Sequence, residues 1–223
     1  MNTQYLSEKM STSGHHPMQK PVKTIIKLIG LFKKLSAPLL PDHAGGEVKL
    51  HNEQGDSQVV LVIEGTVDIY RNADNMLFAT ARAPAIFGMQ GSPYRDSIYK
   101  FISRPDCVLE TLPLSSVIRI INANSLLEEL LICQSYFNDY HAYRTNMLIN
   151  KTSYEIVRAL LLELDKVPSE IKTKINVPTF ILERSHLARS GIMKILSHLR
   201  QGEYIKIESG KLISILRKLP KSF

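Results

Sequence analysis

The sequence predicts an α+β chain: a domain of short strands, one long helix, and a closing unit of helices followed by a two-stranded hairpin. Three observations carry this. Residues 46–122 hold short β-like runs separated by turn residues. Residues 123–150 switch to apolar spacings of three and four, and residues 177–215 read as helix, helix and hairpin. A chain of 223 residues is long enough for two modest domains, each with its own core.

Residues 1–20 are polar, with Ser, Thr, Gly, His and Gln, and read as a disordered tail. The adjacent His15 and His16 belong to that tail rather than to a metal site. Residues 21–36, PVKTIIKLIGLFKKLS, form an amphipathic helix with Pro21 in its first turn. Ile25, Ile26, Leu28, Ile29, Leu31, Phe32 and Leu35 make its apolar stripe, with Lys23, Lys27 and Lys34 opposite and Lys33 on the flank. Such a helix covers its own domain or lies on a membrane surface; the first is expected.

Three segments then supply strands. QVVLVIEGTVDIYRN reads as two strands about the Glu64-Gly65 turn. MLFATARAPAIFG continues with short runs broken by Pro84 and Gly88, and YKFISRPDCVLETL adds two more. Strands this short and close suggest a sandwich, barrel or β-roll, so residues 21–122 form one domain with the helix at its start.

Residues 123–150 are expected to form one helix, on the order of 40 Å long at about 1.5 Å per residue. Leu126, Leu130, Cys133, Phe137, Tyr140, Tyr143 and Met147 line one face. We read it as a dimerisation helix, the alternative being a helix packed within its own chain. Thr152-Ser-Tyr-Glu155 is a capping box that starts the next helix, and Pro168 stops it. The domain boundary therefore falls near Lys151, with residues 151–223 as the last domain.

Several function classes are excluded. No run of about 18 apolar residues exists, so no membrane span is expected. The N-terminus lacks the pattern of a secretory signal, which leaves the cytoplasm as the default. Cys107 and Cys133 are too few and too far apart for a disulfide framework or a zinc site. They are two buried thiols or, alternatively, include a redox-sensing thiol. There is no Gly-rich phosphate loop, no G-x-S-x-G elbow and no His-x-x-x-His pair, so no enzyme and no cofactor is expected.

Charge points to a partner. Residues 1–150 carry 14 Lys/Arg against 14 Asp/Glu, while residues 151–223 carry 14 against 7, the whole net charge of +7. Residues 184–223 alone hold nine basic and two acidic residues. Positive charge confined to one domain suits a polyanion.

The segment VPTFILERSHLARSGIMKILSHLRQGEYIKIESGKLISI concentrates that charge. Pro178 opens a short helix with Phe180 and Ile181 on its apolar face. Arg184 to Ala188, with Ser185 and His186, form a connection. A second helix runs from about Arg189 to Gly202. Ile192, Ile195, Leu196 and Leu199 make its buried stripe, and Arg189, Ser190, Met193, Lys194 and Ser197 its outer face. Gly191 keeps one side small for a neighbouring helix. Gly202 caps the end. Tyr204-Ile-Lys-Ile and Leu212-Ile-Ser-Ile alternate about a Glu208-Ser-Gly-Lys211 tip, giving a wing with Lys206 and Lys211 for phosphates. This is the pattern of a winged helix-turn-helix, whose second helix enters the major groove of double-stranded DNA. A regulatory adaptor, with a winged domain that binds protein instead, is the alternative. Ala188 departs from the preferred Ser, Thr or Asp at the helix start.

The order of parts resembles the cyclic-AMP receptor protein/FNR superfamily of bacterial regulators. ARSGIMKILSHLRQGEYIKIESGKLISI runs parallel to its recognition helix and wing, and VVLVIEGTVDIY to its strand–Gly–strand signature about Gly65. The resemblance implies a cyclic-nucleotide-binding-like β-roll, a long dimerising helix and a DNA-binding head in which Arg189 and Lys194 hold the base-reading positions. Ala188 replaces the family's Ser and Lys194 its second Arg. FILERSHLARSGIMKILSHLRQGEYI is similar to a narrower subgroup, the inhibitor of hydrogen peroxide resistance proteins, which implies regulation of oxidative-stress genes. The β-roll departs from cyclic-nucleotide binders. Phe87-Gly88-Met89-Gln90-Gly91 lacks the ribose-binding Glu, and Asp96 stands where a phosphate partner belongs. No cyclic-AMP binding is expected, and Arg95 and Ser97 are left as candidates for some other anion.

Overall fold

Four consecutive residues, Val59, Val60, Leu61 and Val62, are each fully buried. Alternate side chains leave a strand on opposite faces, so this strand must be covered on both. Val59 and Leu61 enter a core with Leu112 and the helices, while Val60 and Val62 enter a second core with Val67, Phe87 and Phe101. The computed structural model describes residues 19–40, 46–89 and 98–221.

The N-terminal half runs α1 (Val22–Phe32), β1 (Ala37–Pro38), β2 (Glu47–Val48), β3 (Gln58–Glu64), β4 (Thr66–Arg71), β5 (Leu77–Arg82), β6 (Ala85–Phe87), β7 (Tyr99–Ser103) and β8 (Val108–Pro113). Two four-stranded antiparallel sheets, in the orders β1-β8-β3-β6 and β2-β7-β4-β5, pack face to face as a β-roll. The six longer strands are those read from the three sequence segments. At Gly65 φ is +84°, and a Cβ there would lie 2.8 Å from Cys107 Cα and 2.9 Å from its Sγ. Only glycine fits that turn.

The helical parts follow as α2 (Leu114–Ala123), α3 (Leu127–Leu148), α4 (Ser153–Asp165), α5 (Ser169–Lys172), α6 (Val177–Ser185) and α7 (Arg189–Gln201), then strands β9 (Ile205–Glu208) and β10 (Lys211–Ile215). In α1 the buried stripe is Ile25, Leu28, Ile29 and Phe32, narrower than expected, since Ile26 and Leu35 are 56% and 59% exposed. Lys27 of α1 pairs with Glu129 of α3, so the helix covers its own domain.

Helix α2 lies in a stretch read only as strands. It begins directly at Pro113, whose fixed φ suits a helix start, and turns Val117 and Ile121 inward. The long helix accordingly begins at Leu127 rather than residue 123, after a break at Ser125 (φ 54°). Its aromatic stripe faces the chain itself. Leu126, Cys133 and Met147 are buried, and Tyr140 packs on Phe78 of β5 at 5.9 Å between ring centroids. The apolar residues left outward are Leu127, Leu131 and Ile132.

The capping box forms as predicted: Glu155 N–H donates to Thr152 Oγ1 at 3.2 Å and Thr152 N–H to Glu155 Oε2 at 2.8 Å. It starts α4, whose Leu160, Leu161 and Leu164 centre the C-terminal core with Ile181, Ile192, Leu196, Leu199 and Leu212. Arg144 of α3, only 1% exposed, reaches across with Nη1 3.5 Å from Glu163 Oε2 of α4 and Nη2 donating to the Arg184 carbonyl at 3.3 Å. Among the described residues, no helix is long and apolar enough to cross a membrane.

Candidate nucleic-acid interface

Helix α6 begins where Asn176 Oδ1 accepts from Thr179 N–H at 3.1 Å, with Pro178 in the first turn. The same asparagine shapes the wing. Val177 N–H donates to the Gly210 carbonyl at 2.8 Å, and a Cβ on Gly210 would come within 2.6 Å of Asn176 Nδ2. Ser209 and Gly210 have φ of 47° and 76°, the paired left-handed residues of a tight hairpin turn. Helix start and wing tip are thus one unit. Asn176 escaped the sequence reading, although Asn two residues before Pro178 is a helix-start signal.

Helix α7 divides as expected. Ile192, Leu196 and Leu199 are buried and Ile195 partly so, while Arg189, Ser190, Met193, Lys194 and Ser197 are exposed on the other side. Arg200, missed in the sequence reading, is exposed on that outer side, seven residues beyond Met193. Ala188 leaves the first turn without a side-chain cap. The first N–H groups of α7 are therefore open to an anion, which the helix dipole favours.

Two expectations change. Gly191 is not a close-packing residue, since a Cβ there meets nothing within 4 Å. We expect Gly191→Ala to raise stability by about 0.5–1 kcal/mol, read as a higher midpoint of denaturant unfolding. At the end of the helix the left-handed residue is Glu203 (φ 55°), while Gly202 has φ of −77°. Glu203 also pairs with Arg217 at 2.8 Å.

The wing cations differ from each other. Lys206 is exposed and lies 2.9 Å from Glu208 on the same strand. Lys211 is half-buried, its Nζ donating to the Lys174 carbonyl at 3.0 Å.

The connection residues are not gathered with α7. Arg184 turns inward: its Nη2 donates to Thr80 Oγ1 of β5 at 3.2 Å, and its guanidinium lies 4.0 Å over the Phe180 ring. Burial holds that guanidinium below its ordinary pKa. Ser185 Oγ donates to the Ile181 carbonyl at 2.6 Å. His186 ends α6 in the left-handed region, with Nε2 3.5 Å from Asp74 Oδ2 in the β4–β5 hairpin. Arg95 and Ser97 lie outside the described residues.

Both thiols are accounted for. Cys107 is half-buried, donating to the Thr66 carbonyl at 2.9 Å and accepting from Thr66 N–H at 3.1 Å. Cys133 is 1% exposed, and burial pushes its pKa up to about 11. Since the thiolate is the reactive form, Cys133 is expected to resist iodoacetamide at pH 8 until denaturant is added. Mass spectrometry of labelled peptides checks this; rapid native labelling would refute the assignment. No cluster among the described residues could hold a metal ion.

Comparison with known proteins agrees with this geometry. A family model described as winged helix-turn-helix DNA binding matches residues 153–221. The inhibitor of hydrogen peroxide resistance of Escherichia coli K12 is 30% identical over 209 residues, spanning 90% of this chain and 99% of that protein. Its Salmonella typhimurium namesake is 30% identical over 178 residues, 79% of this chain and 85% of that one. Among solved structures, the c-di-GMP-responsive global regulator CLP of Xanthomonas campestris superposes with TM-score 0.64 at 14% identity, covering 85% of this chain and 99% of that chain. A transcriptional regulator of the CRP/FNR family from Thermus thermophilus does so with TM-score 0.51 at 17% identity, covering 79% and 91%.

Proposed function

We propose, from the premise that this chain belongs to the family of inhibitor of hydrogen peroxide resistance proteins, that it is a sequence-specific DNA-binding regulator of oxidative-stress genes. Its family and fold are those of DNA-binding transcription regulators and not of enzymes. The observation that carries the specific reading is the outer side of α7. Three cations (Arg189, Lys194 and Arg200), two serines and a methionine sit there exposed, on a helix whose other side is sealed in the core.

On this reading Arg189 reads a guanine edge, for which the guanidinium fork is suited, and Lys194 reaches a base edge or a phosphate. Met193 and Ser197 lie between and beyond them, for apolar and hydroxyl contacts. Lys206 on the wing meets the backbone. The two reading heads of a homodimer would meet half-sites about one helical turn apart on a pseudo-palindrome. The outward Leu127, Leu131 and Ile132 of α3 supply apolar surface for that second copy. The relatives' names support the link to peroxide resistance. The position of Cys133 argues that any response to peroxide does not begin at that thiol.

The test is the salt dependence of DNA binding. If several phosphates are neutralised, log affinity should fall against log salt with a slope of about −0.9 per phosphate. A protein-binding adaptor would show no such slope, and absence of DNA binding in dilute buffer would refute the reading. A monomeric mass by sedimentation at micromolar concentration would refute the dimer.

A further inference from the structure

The middle of the outer side of α7 is neutral. Ser190, Met193 and Ser197, spaced by three and four, form its central ridge, with Arg189 and Arg200 along one flank and Lys194 along the other. Met193 is 47% exposed. Among the described residues of 151–223 the other exposed large apolar side chains are Ile213 and Leu216, and both lie outside α7. A single exposed apolar group is ordinary on a protein surface. Met193 differs in its place, since hydroxyls and cations surround it while Ile192, Leu196 and Leu199 already seal the helix to the core. From Arg189 to Gln201 the helix carries no Asp or Glu.

In the major groove thymine presents a methyl group, which apolar side chains recognise, whereas the amino group of cytosine is best taken by a carboxylate. Helix α7 offers the first kind of group and lacks the second. The unbranched thioether also adapts its shape to a small apolar target. We infer that Met193 sets base choice by packing on the 5-methyl group of a pyrimidine, in the same half-site where Arg189 takes guanine. This rests on the DNA-reading role given to α7 above and goes beyond it in one respect. What is read is a methyl group and not a hydrogen-bond pattern, so 5-methylcytosine should be accepted at that position better than cytosine. The reading helix thereby distinguishes methylated from unmethylated cytosine there. Burying one methyl group against an apolar side chain corresponds to about fourfold in affinity.

The experiment begins with duplexes enriched from a random pool by the full chain. Each thymine of the enriched site is then replaced in turn by deoxyuridine, which removes the methyl group alone, and binding is followed by fluorescence anisotropy. Deoxyuridine at one position per half-site is expected to weaken binding about fourfold, and 5-methylcytosine there should bind about fourfold tighter than cytosine. Met193→Ser should abolish both differences with little change in the unfolding midpoint, while Met193→Leu should retain them. An enriched site that tolerates deoxyuridine at every thymine, or that holds no thymine, would overturn this assignment and leave the regulator reading intact. A deoxyuridine effect that persists in Met193→Ser would also overturn it, because the duplex's own stiffness would then be the property read. Failure to enrich any sequence would overturn the regulator reading and this assignment together.

Discussion

Replacing Arg144 by methionine is expected to lower the stability of the chain by about 1–3 kcal/mol, because it leaves the half-buried Glu163 carboxylate unpaired and the Arg184 carbonyl without its donor. Arg144 is 1% exposed and sits against Glu163, whose Oε2 is buried and makes no hydrogen bond in good geometry. Arg144 Nε is likewise buried without a hydrogen bond. The pair is held by charge rather than by a full set of directed contacts, so removing Arg144 leaves the buried Oε2 of Glu163 without compensation. Adding Glu163→Leu to Arg144→Met should recover most of the loss, since well-packed apolar groups can replace a buried ion pair without net cost. Denaturant unfolding of the two single variants and the double variant forms the test. A loss below about 1 kcal/mol in Arg144→Met would mean that water reaches Glu163 freely.

The second large effect is on DNA. Arg189→Ala with Lys194→Ala should weaken specific binding by roughly 2–6 kcal/mol, taking about 1–3 kcal/mol for each lost contact. Both residues are exposed, so the unfolding midpoint should hardly move. Binding to arbitrary DNA should fall much less, and the salt slope should become shallower by about one for any side chain that touches a phosphate. A double variant that binds its operator like the parent would remove α7 as the reading helix.

Much of this was legible from spacing. The strand over 58–64, the Glu64-Gly65 turn, the capping box at Thr152 and the 3-1-3 stripe of α7 each rest on a local rule, and each is present. What was illegible depended on the distant chain. Helix α2 follows β8 with no intervening loop, so its ten residues were absorbed into a strand-rich stretch. The stripe of α3 announced a partner without saying which, and the partner is largely the chain's own β-roll. Arg184 reads as a free cation beside the reading helix. It points inward because Thr80, over one hundred positions earlier, accepts its hydrogen bond. Gly191 suggested a tight contact, whereas open space surrounds it.

Strand β3 has neither a wet nor a dry side, and this bears on how it finds its alignment. In a half-exposed strand, slipping by one position would throw its apolar groups into water, and that penalty sets the pairing. Here a one-position slip would merely exchange one oily neighbour for another. The alignment must instead be fixed at the end of the strand, where Gly65 fits against Cys107 and no side chain can take its place. A larger residue at position 65 should therefore produce misaligned chains that are still compact, rather than unfolded ones.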